Sequence, residues 1–205
     1  MANHGIALVT GAARRIGRVI ALSLARHGWD VAVHYRFSES EAMATAEDIR
    51  KLGRRSVALH CDLTDEEAVN RLLQRVEDSL GRPSCLVNNA SVFEHDSVTD
   101  FSAHSLDFHM RTNLTAPVLL SRALHTMTPE GSQSVVVNLL DQKLDNLNPS
   151  FLSYTLSKAA LNTATTLLAQ ELAPKLRVVG IAPGITLVSG EQTEQDFQIA
   201  HKNTP

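Results

Sequence analysis

Residues 6–17 decide the fold: they read IALVTGAARRIG, a short apolar run followed at once by a loop of small residues and arginines. The pattern predicts a strand over Ile6–Thr10 and a helix over Ile16–His27 that Gly28 ends. Small residues in such a turn let the backbone approach an anion at a helix N-terminus, where free N–H groups and the helix dipole favour negative charge. The segment therefore predicts a phosphate-binding turn. The simpler alternative is an ordinary strand–helix turn with surface arginines.

The same alternation of apolar runs and amphipathic stretches continues to about residue 181 and is typical of βαβ units. Further strands are predicted at 31–35, 56–60, 85–88, 134–140 and 177–181, and helices at 38–52, 64–80, 105–127 and 153–172. Six apolar strands joined through helices predict an α/β fold, a single doubly wound Rossmann domain over residues 1–205 with helices on both faces of a parallel sheet. Ligands of such a fold bind beyond the carboxyl ends of the strands.

Three local signals refine the helices. Ser38 with Glu41, and Thr64 with Glu67, have the spacing of capping boxes at helix starts. Pro117 falls near the middle of the longest predicted helix and is expected to bend it.

Composition excludes several classes of protein. The 205 residues are 43% hydrophobic and carry a net charge of −3, which is typical of a globular domain and provides no basic field for nucleic acid or an anionic membrane. Cys61 and Cys85 lack metal or redox spacing, so we expect reduced thiols in a cytoplasmic protein. The nine histidines show no ligand spacing, and no metal site is predicted. The expected partner is a small molecule.

The end of the second strand indicates the cofactor. A site for NAD usually places Asp or Glu there, to bind the ribose 2′-hydroxyl. Here the strand ends in His34, Tyr35 and Arg36, with no carboxylate before Glu39. Arg36 and Ser38 suit a 2′-phosphate, so the pattern favours NADP(H). The alternative is that Arg36 is only a solvated surface residue.

A proton-transfer pair lies at the start of the helix at 153–172. Tyr154 and Lys158 are four residues apart, so both project from one face. An ammonium group near a phenol is expected to lower the phenol pKa, which lets the tyrosine exchange a proton near neutral pH.

Several motifs occur in a fixed order: residues 10–17, Asn88-Asn89-Ala90, Asn113, Tyr154 with Lys158, and Pro183-Gly184. In this order they resemble the short-chain dehydrogenase/reductase family over essentially the whole chain. The resemblance implies that Asn113, Tyr154 and Lys158 act in catalysis, Asn113 by helping to hold a water-mediated proton relay. It also implies a set of NADP(H)-binding residues: Gly11, Arg14, Arg15, Ile16, Gly17, His34, Tyr35, Arg36, Ser38, Asp62, Leu63, Asn89, Ala90, Ser91, Lys158, Pro183 and Gly184.

One position departs from the usual family pattern. The family commonly has a serine thirteen residues before the tyrosine, where this sequence has Asp141. An ionised carboxylate cannot donate a hydrogen bond to a carbonyl, but it suits a substrate that is itself a donor or takes up a proton at nitrogen. With TGAARRIG at residues 10–17 and NNASVF at residues 88–93, Asp141 makes the sequence similar to the pteridine reductase and dihydromonapterin/dihydrofolate reductase branch.

That branch implies a reductase that transfers hydride from NADPH to a C=N bond of a dihydropterin. Arg15, Ser91, Phe93, Asp141 and Tyr154 are then the substrate contacts, and Phe93 sandwiches the pterin ring against nicotinamide. The alternative for Phe93 is a core aromatic. The alternative functions are reduction or oxidation of a carbonyl or secondary alcohol, and NADP(H) binding without catalysis.

The resemblance also carries expectations about the end of the chain. The family normally continues into another helix and a seventh strand, which this sequence does not contain. A bare sheet edge invites pairing, so we expect a homo-oligomer, with a tetramer as the first guess. Residues Leu187–Phe197 are polar and contain glycine, which predicts a mobile cover over the substrate.

Overall fold

The computed structural model describes residues 5–147, 149–184 and 186. Six parallel strands form one sheet in the order β3-β2-β1-β4-β5-β6. The elements are β1 Gly5–Val9, α1 Arg15–Arg26, β2 Trp29–Tyr35, α2 Glu39–Lys51, β3 Ser56–His60, α3 Glu66–Leu80, β4 Cys85–Asn88, α4 Ala103–Met110, a π-helical turn Arg111–Thr115, α5 Ala116–Met127, β5 Ser134–Leu139, a 3₁₀ turn Gln142–Asp145, α6 Leu152–Leu172 and β6 Leu176–Ile181. The predicted doubly wound α/β fold is confirmed.

The sheet is buried on both faces because successive strand residues point to opposite sides. In β1, Leu8 belongs to the core that includes side chains of α3 and α5, whereas Val9 belongs to the core with α1 and α2. Leu72 and Ile49 are fully buried representatives of the two cores. This double burial explains why the strands read as continuous apolar runs.

The strand order reverses at β1, which pairs with β2 on one side and β4 on the other. The loops that leave β1 and β4 therefore meet at the carboxyl edge of the sheet. This switch point is where a doubly wound fold opens its ligand crevice.

The predicted capping boxes are wrong in detail. Asp65, one residue after Thr64, caps α3 by accepting hydrogen bonds from the N–H groups of Glu67 and Ala68. Thr64 instead donates its own N–H and hydroxyl to Asp62. Ser38 does precede α2, but its side chain makes no cap hydrogen bond. The competition between neighbouring acidic and hydroxyl side chains for the same N–H groups is not visible in spacing alone.

The helix predicted over 105–127 is helical throughout, but a π-helical turn at Arg111–Thr115, which was not predicted, lies between its α-helical parts α4 and α5. Pro117 lies in the first turn of α5 and has no N–H to donate to the carbonyl of Asn113, four residues earlier. The regular ladder is interrupted there. Single π turns of this kind occur frequently at functional sites, and this one carries Asn113.

Candidate functional site

Two connected clefts open at the carboxyl edge of the sheet. The first, of about 620 Å³, lies over the β1–α1 turn and the ends of β2 and β3. The second, of about 470 Å³, is lined by Asp141, Tyr154 and Lys158 together with Pro183 and Gly184. The two linings share the side chains Arg15, Ile16, Asn89, Ser91 and Phe93.

The clefts collect residues that are far apart in sequence. All the predicted site residues lie in the described part of the chain, and of these Asn113 alone lines neither cleft. Apart from Asn113, the structure thus brings the predicted cofactor and catalytic residues to two clefts that share part of their lining. Their individual roles stay predictions.

The β1–α1 turn is held tightly on both sides. Gly11 has a left-handed φ of +62° and donates its N–H to Nδ1 of His34 at 2.9 Å. The side-chain amide of Asn89 donates to the carbonyls of Thr10, at 2.9 Å, and Gly11. A Cβ on Gly17 would lie 2.2 Å from the Gly11 carbonyl oxygen. The turn therefore needs glycine at Gly11 for its conformation and at Gly17 for its close packing.

Both ring nitrogens of His34 make hydrogen bonds, and one of these bonds holds the β1–α1 turn. Its Nδ1 accepts from Gly11, so the ring proton is on Nε2, which donates to the Cys61 carbonyl at 3.0 Å. Burial lowers the His34 pKa to about 4, which keeps the imidazole neutral at physiological pH. A neutral ring can accept the Gly11 proton, whereas a protonated ring cannot. His34, predicted as a cofactor contact, thus also fixes the shape of the turn.

Arg15 occupies a position where glycine is common, and its backbone is left-handed with a φ of +54°. For a residue with a Cβ this conformation costs roughly 1–2 kcal/mol. Arg14 immediately before it is extended and forms the N-cap of α1. Both arginines are exposed beside the helix N-terminus, which gives the turn the charge and donors for a phosphate group.

Arg36 lies in the same cleft but is not freely solvated. Its Nη2 forms an ion pair with Asp62 at 2.8 Å, and its guanidinium carbon lies 4.5 Å from the ring centroid of Phe37. Burial raises the pKa of Asp62, but hydrogen bonds from Thr64 and the contact with Arg36 outweigh it and leave the pKa below its ordinary value. Asp62 therefore stays ionised as the partner of Arg36.

The predicted catalytic side chains of Asp141, Tyr154 and Lys158 each make hydrogen bonds within the chain. The Tyr154 hydroxyl donates to Oδ2 of Asp141 at 2.5 Å, while Oδ1 of Asp141 accepts the N–H of Lys143 at 2.8 Å. Lys158 donates from Nζ to the Leu139 carbonyl at 2.7 Å. Tyr154 and Lys158 are only 6% and 3% exposed. Each polar group is thus oriented by a partner within the chain.

The expected lowering of the Tyr154 pKa is wrong in this structure. Burial raises the Tyr154 pKa, and the hydrogen bond to Asp141 and the charge of that carboxylate raise it further. The ammonium group of Lys158 is bonded to a main-chain carbonyl instead. Burial lowers the Lys158 pKa to about 8, against a smaller opposing effect of Asp141. Tyr154 is therefore held as a phenol.

Asn113 links the loop after β4 to α6. Its Oδ1 accepts the Val92 N–H at 2.8 Å, and its Nδ2 donates to the Val92 carbonyl and to Ser157 Oγ at 3.0 and 2.9 Å. Ser157 lies on the helix of Tyr154 and Lys158 and was not predicted as part of the site. In this structure Asn113 is a clamp between two walls of the groove.

Phe93 is not a core aromatic, because 48% of it is exposed. Its ring stacks on Phe151 at a centroid distance of 4.3 Å and meets Tyr154 edge-on at 4.7 Å. Phe151 precedes α6 with a left-handed φ of +61°. The predicted aromatic surface beside Tyr154 therefore consists of two rings, of which sequence reasoning found one.

A buried aspartate holds the start of α6. The Asp96 carbonyl accepts the Leu152 N–H at 3.2 Å, and its carboxylate accepts the N–H of Ser153, at 3.0 Å, and the Ser153 hydroxyl. These bonds satisfy N–H groups that a helix start leaves open. Tyr154 is the next residue along the helix, so Asp96 helps to position it.

Three further expectations concern metals, membranes and the end of the chain. Across residues 5–147, 149–184 and 186, no cluster of three His, Cys, Asp or Glu side chains could hold a metal ion. In the same part of the chain no helix is long and apolar enough to cross a bilayer. The predicted cover at Leu187–Phe197 lies outside the described residues.

Comparison with known proteins gives the family of the chain. A family model described as short chain dehydrogenase matches residues 5–198. The chain belongs to the short-chain dehydrogenase family. It is therefore an oxidoreductase of that family, as its motifs imply.

Two solved structures and one curated relative place the chain within the family. FolM alternative dihydrofolate reductase 1 from Brucella canis, complexed with NADP, is 41% identical with a TM-score of 0.95, over 100% of this chain and 81% of that one. The Brucella suis protein of the same name, also with NADP, is 43% identical with a TM-score of 0.85, over 89% and 76%. The 3-oxoacyl-[acyl-carrier-protein] reductase FabG of Staphylococcus epidermidis is 32% identical, over 87% and 73%. The NADP in the two structures agrees with the cofactor predicted from the end of β2.

Proposed function

We propose that this short-chain dehydrogenase is an NADPH-dependent reductase that adds hydride to a C=N bond of a dihydropterin or a related folate. The observation that carries the proposal is the hydrogen bond from Tyr154 to Asp141 beside the exposed ring of Phe93. A carboxylate at this position suits a nitrogen heterocycle, which presents N–H donors, better than it suits a carbonyl. The similarity to two proteins named alternative dihydrofolate reductase supports this choice.

The residues of the 620 Å³ cleft fit NADPH. Arg14 and Arg15 flank a helix N-terminus that suits a pyrophosphate. Nε of Arg36 is buried and has no hydrogen-bond partner among the described residues, so it offers a donor for a 2′-phosphate. Asp62 and Leu63 would border the adenine, and Lys158, Pro183 and Gly184 the nicotinamide end. When bound, NADPH supplies the hydride.

The protein's own contribution is orientation and a proton. When hydride adds to the carbon of a C=N bond, the nitrogen takes up one proton. The Tyr154 hydroxyl, beside the rings of Phe93 and Phe151, is the donor. Asp141 holds that hydroxyl protonated until a nitrogen acceptor enters. The positive charge of Lys158, whose Nζ lies 5.8 Å from the Tyr154 ring centroid, stabilises the phenolate that donation leaves.

Two other functions remain as candidates. The first is reduction of a carbonyl, which the similarity to a 3-oxoacyl-[acyl-carrier-protein] reductase supports. The second is NADP(H) binding without turnover. The complete set of Asn113, Tyr154 and Lys158 argues for catalysis, since a binding protein has no need of a buried proton donor.

A panel assay of NADPH oxidation discriminates among the three. Purified protein is given dihydrobiopterin, dihydromonapterin, dihydrofolate, a 3-oxoacyl thioester and simple ketones, with Tyr154→Phe as the matched inactive control. We expect turnover of at least one dihydropterin or dihydrofolate well above that of every ketone. Turnover of ketones alone would replace the pterin assignment with carbonyl reduction, and oxidation with none of the substrates would favour the binding protein.

A homotetramer in the cytoplasm is also part of the proposal. Sedimentation of the purified protein would give the mass of the assembly, and a monomer at assay concentration would contradict it.

A further inference from the structure

Arg36 is held from two sides by residues that come from different parts of the chain. Asp62, after β3, forms an ion pair with Nη2. Phe108, on α4, places its ring centroid 5.3 Å from the guanidinium carbon, within the range of a cation–π contact. Phe108 lies 72 positions beyond Arg36 and lines the same cleft.

The two supports restrain different motions of the guanidinium group. The ion pair directs one edge of the Arg36 guanidinium plane toward Asp62. The cation–π contact favours a position of the guanidinium group over the Phe108 ring. An arginine free in solvent must lose side-chain entropy when it binds an anion, whereas one already held has less to lose. The Phe37 ring is also close but is 82% exposed, so the half-buried Phe108 is the firmer support.

We propose that Phe108 is a positioning residue for cofactor selection: it holds Arg36 ready for the 2′-phosphate and so raises the preference for NADPH over NADH. The inference rests on the 2′-phosphate site proposed above and is independent of the pterin assignment. Phe108 touches neither Tyr154 nor Asp141 in any contact described for the site, so its effect is confined to binding of the cofactor.

The test measures dissociation constants of NADPH and NADH for the full chain and for Phe108→Leu. We expect NADPH to bind about two- to fivefold more weakly, the factor that one partly exposed cation–π contact is worth, and NADH to be unchanged. Phe108→Tyr keeps the aromatic face and should restore the wild-type ratio. Phe101→Leu makes the same change at a half-exposed ring outside both clefts and should leave both constants unchanged.

Equal weakening of NADPH and NADH would overturn the proposal, because Phe108 would then contact the adenine or support the cleft generally. Unchanged binding of NADPH would overturn it as well. If the panel assay finds no pterin turnover while Phe108→Leu shifts only NADPH, the proposed function fails and this inference stands. If pterins are reduced and the ratio of the NADPH and NADH dissociation constants is unchanged in Phe108→Leu, the proposed function stands and this inference fails.

Discussion

At the phosphate end of the groove, Arg14 and Arg15 stand exposed on a turn whose backbone His34 and Asn89 hold, while at the opposite end Asp141, Tyr154 and Lys158 are bonded to partners within the chain. In the first region, the guanidinium groups of Arg14 and Arg15 are exposed and can donate hydrogen bonds to a bound anion. In the second, burial within the protein shifts the pKa values of Tyr154 and Lys158. Substitutions in the first region should therefore change cofactor affinity, and those in the second should change turnover.

The largest effect is expected at Tyr154. Tyr154→Phe removes the proton donor and keeps the ring, so kcat should fall by about 10²–10⁴ while the NADPH dissociation constant stays within twofold. Steady-state kinetics and cofactor titration check the two halves of this prediction. A kcat within tenfold of wild type would show that another group delivers the proton. Turnover would then not depend on Tyr154, contrary to the difference expected between the two regions.

A smaller effect, on the binding of NADPH and of the substrate that Arg15 is also predicted to contact, is expected at Arg15. Arg15→Gly should weaken NADPH binding by about ten- to a hundredfold, because charged hydrogen bonds to phosphate are lost. The midpoint of thermal unfolding of Arg15→Gly should stay near that of wild type. Glycine removes the left-handed backbone strain of about 1–2 kcal/mol, and this gain offsets the larger conformational entropy that glycine gives the unfolded chain.

Arg15→Ala is the matched control for that variant. It loses the same charge but keeps the strained backbone, so its midpoint in thermal unfolding should lie below that of Arg15→Gly. Equal unfolding midpoints for the two variants would show that the left-handed backbone at Arg15 does not reduce stability.

Sequence patterns captured the regular elements better than the contacts between loops. Residues 56–60 and 85–88 were predicted with the observed bounds because polar and Gly/Pro-containing segments flank these apolar runs. Pro117 was interpreted as the cause of a bend, whereas the departure from the α-helical pattern is the π turn just before it. The missing information was tertiary, because Asn113 on that turn bonds Val92 and Ser157.

The same limit applies to the site. The motifs gave most of the residues that line the two clefts, including Asp141. Asp96, Phe108 and Phe151 carry no local signal. Their contacts depend on how loops after different strands meet at the sheet edge. The direction of the Tyr154 pKa shift was predicted wrongly for a related reason, because it depends first on how deeply the hydroxyl is buried and then on its hydrogen bond to Asp141.

The smallest effect should appear in the pH profile. Because burial lowers the pKa of Lys158 to about 8, the ammonium group loses its proton as pH rises through that value. Its stabilisation of phenolate is then lost, so kcat/KM for NADPH should fall about fivefold between pH 8 and 9. Lys158→Arg keeps the charge at every accessible pH and should abolish this limb, whatever its absolute rate. A limb that persists in the variant would belong to another group.

Asp141, in the place of the usual serine, is proposed to fit the site to a nitrogen heterocycle. The most direct measurement is kcat of Asp141→Ser and of the equal-sized Asp141→Asn on the dihydropterin or dihydrofolate that wild type turns over best, with the NADPH dissociation constant measured alongside. We expect both variants to lose about a hundredfold or more in kcat, because a proton-transfer partner is lost, while NADPH binding changes by less than about threefold. Unchanged turnover of that substrate in Asp141→Ser, or a rise in ketone reduction above wild type, would contradict this proposal.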